Sequence, residues 1–274
     1  MNKFGFNINL KMSPGHIEML GEKMLGSGLY EAVEVTYYGH MEHTDTNAYN
    51  RAVRNIVEKY HPQVTVHIPA YNLTEENHTL REAVLREIES CLDYTLSLGG
   101  REMIMHAGYH IVGLHVPNPW GDKEAVPPRQ RQWNLSVEMM QKACDMAAER
   151  EMMIYTENLS TREITVTCTD LKKYLRDVDR ENLKIVFDIG HSFYTGNNIP
   201  EEVEIAGSDL KHLHLHDNNG NGDQHLCLGD GSIEYAPFFD MLKKVGYPGL
   251  YMMELGYCTP ENLERSRALI QSLV

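Results

Sequence analysis

Four histidines and three aspartates crowd the twenty-three residues from Lys211 to Ile233, KHLHLHDNNGNGDQHLCLGDGSI. His212, His214 and His216 alternate with Leu213 and Leu215. Alternate residues of a strand share one face, so the spacing predicts three imidazoles on one side. Asp217-Asn218-Asn219-Gly220 is turn chemistry. Asp223 and His225 follow, two apart, and Leu228-Gly229-Asp230-Gly231 closes the loop. Neutral imidazole and carboxylate together are ligands for transition metals, zinc first among them. A plain polar strand and loop would not need this density of ligand types. Cys227 offers a thiol in the same loop, beside harder ligands.

Such a stretch needs a frame. Short apolar runs alternate with amphipathic segments along the chain. The pattern predicts strands over 4–9, 30–38, 64–68, 103–106, 152–157, 183–188, 210–216 and 250–254. Helices are expected between them, over 47–60, 79–98, 131–149, 169–177, 200–207 and 236–245. Ser13-Pro14 and Thr259-Pro260 start two more, with a capping hydroxyl before a proline. Strict alternation implies a parallel sheet. Eight such units in 274 residues predict one α/β domain over 1–274, a single (β/α)8 TIM barrel with a metal site at the C-terminal face of its strands. The rival is an open doubly wound sheet. It would want a glycine-rich phosphate turn after the first strand, and Asn9-Leu-Lys-Met-Ser-Pro-Gly15 does not supply one. A long loop over 107–130 carries Trp120 and is expected to lie over the site.

Active sites of such barrels are built at the C-terminal strand ends. From the third strand on, those ends read His67, His106, Glu157, Asp188 with His191 three residues later, His214 with Asp223 and His225 in its loop, and Glu254. Six consecutive strand ends present a metal-ligand type, although His, Asp and Glu make up roughly one residue in six of an average chain. Singly, each could be a satisfied core histidine or a structural carboxylate. Burying several carboxylates without cations is costly, and the surrounding histidines favour metal.

Lys and Arg number 25 against 39 Asp and Glu, a formal net charge of −14. Nucleic-acid binders carry a basic footprint, so nucleic acid is an unexpected partner. The five cysteines are scattered with no CxxC, which reads as reduced thiols. No stretch approaches a membrane span, and MNKFGFNINLKMSPG has no long apolar run. A cytoplasmic protein is expected, and a homo-oligomer is left open.

The motifs DIGH (Asp188, His191), HLHD (His214), DQHLCLGDG (Asp223, His225), YTEN (Glu157) and MMEL (Glu254) resemble those of the xylose isomerase-like TIM barrel superfamily. That group includes sugar isomerases and epimerases and the endonuclease IV nucleases. The resemblance covers nearly the whole chain. For one-metal members it implies a ligand set of Glu157, Asp188, His214 and Glu254, holding a single manganese, cobalt or magnesium. For the three-zinc nucleases it implies His67, His106 and Glu157 for one ion, Glu157, Asp188, His214 and Glu254 for the next, and His191, Asp223 and His225 for the third. The resemblance also implies that Glu157 and Glu254 are the catalytic acid and base.

Charge helps to choose the reaction. The nuclease relatives carry basic residues after strand two, whereas this chain has GHMEHTDTN there. The cations expected near the catalytic face are Lys123, Arg129, Arg131 and Arg162. A duplex nuclease must neutralise several phosphates. The reading is therefore a metal-dependent isomerase or epimerase of a small, mostly neutral carbohydrate, with Tyr38, Tyr71 and Trp120 as candidate substrate-binding rings. The alternatives are a multinuclear zinc hydrolase of a small phosphoester, and a barrel that binds sugar or metal without chemistry.

Overall fold

A computed structural model describes residues 3–9, 11–39, 46–110 and 128–274. Eight parallel strands close in chain order into a barrel. They are β1 (Lys3–Ile8), β2 (Ala32–Thr36), β3 (Gln63–His67), β4 (Glu102–Ile104), β5 (Met153–Glu157), β6 (Leu183–Asp188), β7 (Leu210–Leu215) and β8 (Leu250–Met253). The helices between them are α1 (Pro14–Leu20), α2 (Thr46–Tyr60), α3 (His78–Ser97), α4 (Pro128–Ala148), α5 (Cys168–Val178), α6 (Ile189–Tyr194), α7 (Ile199–Ala206), α8 (Tyr235–Val245) and α9 (Pro260–Gln271). The predicted barrel is the observed one.

Two details differ from the sequence reading, and a third expectation falls outside the described residues. The first helix is capped by Ser13 as expected, then widens into a π-helical turn over Gly21–Leu25. The short helix α6 was not anticipated. It exists because the Asp188 side chain accepts the His191 N–H and so caps a helix directly at the end of β6. The long-loop expectation falls mostly on 111–127, which lie outside the described residues, as does Trp120.

Strand alternation separates two interiors. Phe4, Phe6, Ile8, Val33, Val35, Val64, Val66, Ile185, Phe187, Leu213 and Leu215 join the apolar layer that the helices cover. The residues between them therefore point into the barrel. The lower part of that inner space is filled by small groups such as Ala32, Leu250 and Met252, and Ile104, Tyr155 and Val186. Glycine at position 5 makes room there, since a Cβ would sit 2.6 Å from Met252 Cε. Above this apolar floor the inward positions turn polar, with Glu34, His67, Glu157, Asp188, His212 and His214. All five cysteines are free and buried. No described helix is long and apolar enough to cross a membrane.

Candidate metal centre

The upper end of the barrel brings all nine sequence-selected positions together in adjoining clusters. Glu157 Oε2 lies 3.7 Å from His67 Nε2 and 3.4 Å from His106 Nε2. His214 Nδ1 lies 3.0 Å from Glu157 Oε1, 3.4 Å from Glu254 Oε2 and 3.9 Å from Asp188 Oδ2. On the outer side, Asp223 is 3.3 Å from His191 Nε2 and 3.1 Å from His225 Nε2. His216 joins this outer group. Within each group the ligand-type atoms all lie within 4.8 Å of one another.

The second nitrogen of most of these imidazoles is engaged. His67 donates Nδ1–H to the Ile68 carbonyl at 2.8 Å, His191 to Asn158 at 3.0 Å and His225 to Glu254 at 2.9 Å. Each therefore turns Nε2 toward the carboxylates, where a bound metal ion would take the place of the Nε2 proton. His214 is reversed. Its Nε2 is 3.2 Å from Glu34 Oε2, which leaves Nδ1 to face Glu157, Asp188 and Glu254.

The backbone holds the donors in place. Asn158 bonds both the N–H and the C=O of Asp188, each at 2.8 Å, and stitches the end of β5 to that of β6. Asp217, the aspartate of HLHD, accepts N–H bonds from Asn218, Gly229 and Ile233. It folds the loop that carries Asp223 and His225 rather than joining a cluster. His225 has φ +46°, in the left-handed region that non-glycine residues seldom use. Its ring bond to Glu254 and the pairing of Asp217 with Leu226 keep it there.

Charge in the centre is dense. Burial raises the Glu157 carboxyl, but the neighbouring His214, His106 and His191 imidazoles outweigh it and hold Glu157 well below its usual range. Burial opposes charge on His214 too, and Glu34, Glu254 and Glu157 overcome it and raise its pKa well above the ordinary value. His225 is pushed up to about 9 against burial, by its contact with Asp223 and by the Glu254 charge. Burial dominates at His106 and lowers it. Without a cation, protons on imidazoles balance the carboxylates. A divalent ion would displace those protons, because it binds neutral imidazole and ionised carboxylate.

The residues fit such an ion. Glu157 Oε2 is fully enclosed and has no hydrogen-bond partner. An unpaired buried carboxylate oxygen is expensive, yet this one faces two imidazole nitrogens. Oxygen and imidazole donors of this kind suit zinc, manganese, cobalt or magnesium.

Other expectations scatter. Tyr38 lines a cavity of about 340 Å³ with Asn7, Asn9, Asp223, His225 and Glu254. Tyr71 donates its hydroxyl to Glu87 and borders a separate groove with Leu80 and Val84. Cys227 is buried against Ser266 and Asn262, away from the clusters. Lys11 also lines the Tyr38 cavity, which corrects the expected roster of cations on this face. The first strand end carries no ligand type, and its loop reads only as lacking a glycine-rich phosphate turn. Of that roster, Arg131 pairs with Glu76, and Lys123 lies outside the described residues.

Two carboxylates escaped sequence reasoning. Glu34, in the middle of β2, receives both His212 at 3.1 Å and His214. Glu163, on the loop after β5, has a buried oxygen without a partner and is pushed up to about 7 by burial. Glu34 is the polar alternate of AVEVT; nothing in the local sequence marks Glu163.

The sequence profile of the xylose isomerase-like TIM barrel matches residues 25–273, and the chain belongs to that family. An uncharacterized protein of Methanocaldococcus jannaschii is 27% identical over 203 residues, 72% of this chain and 66% of that protein. An inosose dehydratase of Clostridium botulinum is 24% identical over 191 residues, 63% of each chain. An L-ribulose 3-epimerase of Methylomonas sp. is 31% identical over 117 residues, 42% of this chain and 39% of that enzyme. The aligned stretches thus span two thirds or less of these relatives' own lengths. A crystal structure of a D-tagatose 3-epimerase-like protein superposes with a TM-score of 0.80 at 22% identity, covering 99% of this chain and 96% of that one. The relatives with a named activity include a sugar 3-epimerase and an inosose dehydratase.

Proposed function

We propose that the protein is a metal-dependent epimerase or isomerase of a small, mostly neutral carbohydrate. The observation that carries this reading is the pair of carboxylates, Glu157 and Glu254, converging on His214 Nδ1 from β5 and the end of β8. A divalent ion held by Glu157, Asp188, His214 and Glu254 would supply Lewis acidity toward the oxygens of a hydroxy-ketone. Glu157 and Glu254 are the acid and base that move the proton on the carbon beside the carbonyl. Return of the proton to the opposite face of that carbon inverts it; return to the neighbouring carbon isomerises the sugar. Proton removal beside a carbonyl is also what a ketose 3-epimerase and an inosose dehydratase have in common, which supports the reading from the named relatives. The cavity beside Tyr38 accommodates the rest of the sugar, with Asn7, Asn9 and Gln224 as polar partners.

The test is turnover of a panel of ketoses by metal-loaded protein. Glu157→Gln and Glu254→Gln should each abolish it while circular dichroism remains native. An active double variant would refute the assignment.

A second reading, a zinc hydrolase of a small phosphoester, is favoured by the completeness of the nine-position set. It requires phosphate or nitrophenol release from model esters to depend on His191 and Asp223. Lys11 adds one cation to this face, too few for a duplex that needs several phosphates neutralised.

A further inference from the structure

We infer that His216 is a fourth protein ligand of the outer cluster, and that an ion held there by His191, His216, Asp223 and His225 has no position left for substrate. This rests on the reading that the centre binds divalent ions, and it goes beyond the three-residue set drawn from the sequence motifs. His216 is fully buried. Its Nε2 is 3.8 Å from Asp223 Oδ1, whose carboxylate also meets His191 and His225. Its ring stacks on that of His225, with centroids 4.0 Å apart and planes at 18°. The two imidazoles therefore present their Nε2 atoms side by side to the same aspartate. Ligands about 2.0–2.1 Å from a zinc ion in tetrahedral array lie roughly 3.4 Å from one another. The separations of the outer atoms from Asp223 bracket that spacing.

The surroundings are built for this ring. A Cβ at position 190 would stand 2.0 Å from His216 Cε1, so the glycine of DIGH admits the imidazole. His216 Nδ1 is buried without a partner, which leaves Nε2 as the only nitrogen with polar neighbours. Those neighbours include Asp188 Oδ2 at 3.1 Å. The ring thus has two possible uses, as a ligand or as a hydrogen-bond donor to Asp188, and they can be separated.

Four protein donors close a tetrahedral site, whereas a catalytic site keeps a position open. A closed outer ion would brace the β7–α8 loop and confine chemistry to the group around Glu157 and Glu254. It would also deny a phosphoester the third ion that a trinuclear hydrolase needs.

The experiment uses cobalt(II) as the probe on the full chain stripped of metal. Visible absorption is recorded for wild type and for Asp223→Asn, and the difference isolates the outer ion. The expected result is an intense four-coordinate difference spectrum that added azide or phosphate does not alter. In His216→Asn the band should weaken and become sensitive to azide, and cobalt should be retained at least about 10-fold less tightly at this position. His216→Gln keeps a donor for Asp188 and removes the ligand, so it should behave like His216→Asn; it also serves if the asparagine variant fails to fold. An azide-sensitive wild-type spectrum, or a His216→Gln spectrum identical to wild type, would overturn the proposal and leave His216 as the partner of Asp188. Failure of the wider metal reading looks different: neither wild type nor Asp223→Asn would then bind cobalt at all.

Discussion

The inner and outer clusters are made of the same donor types but are held in different ways. The inner group of Glu157, Asp188, His214 and Glu254 is fixed at the strand ends, with Glu34 behind it in the barrel. The outer group depends on loops: Asp223 and His225 sit on the β7–α8 connection, and His225 occupies a left-handed backbone conformation. Strand ends are positioned by the sheet itself, while loop residues are positioned by bonds such as those to Asp217. On the proposed function, this difference divides the labour, with proton transfer on the rigid side and shaping or bracing on the other.

The sharpest way to break this comparison is at the carboxylates. Glu157→Gln or Glu254→Gln should lower turnover by about 10²–10⁴-fold, the range for loss of an acid or base. Equivalent losses at Asp223 would move the chemistry outward and contradict the division. The next effect concerns Glu34. Its replacement by Ala frees the His214 ring and leaves His212 without its partner, so metal affinity of the inner group should fall about 10–100-fold. Competition with a chelator reads this directly, and Asp223 variants should leave that inner affinity unchanged.

The pH response sharpens the outer side. In the metal-free protein His225 is pushed up to about 9, from an ordinary value of 6.5. Below that ordinary value both folded and unfolded chains are protonated, and the stabilisation of charged His225 by Asp223 and Glu254 is complete. It is lost as pH rises through about 9, so metal-free stability should decline across that interval in denaturant titrations. Metal affinity of the outer group should climb over the same interval, since binding expels the proton. The smallest expected effect is at Lys11. Its replacement by Ala should change KM for a neutral ketose by about fivefold or less, as befits an exposed charge worth at most about 1 kcal/mol. A larger rise confined to acidic or phosphorylated sugars would redefine the substrate class.

Most of this architecture could be read from sequence because the barrel places function at strand ends. His67, Glu157 and Asp188 each end the strand that was expected to carry them. Glu34 could not be selected that way, since it lies two residues before the end of β2 and reads as the polar half of an alternating strand. The same parity that exposes a polar residue on an ordinary sheet buries it in a barrel. Residue type alone nominates Tyr71 as a sugar-stacking ring, and its hydroxyl is spent on Glu87. His216 was visible in HLHLHD, but only the packing against Gly190 and His225 shows what its ring faces.

The most direct measurement is solvent isotope exchange. Metal-loaded protein is incubated with a panel of ketopentoses and ketohexoses in deuterated water, and the carbon beside the carbonyl is followed by NMR. Proton transfer by Glu157 and Glu254 predicts deuterium at that carbon in at least one sugar, lost on chelation and in either glutamine variant. No exchange in any sugar, or exchange that persists in the glutamine variants, would contradict it.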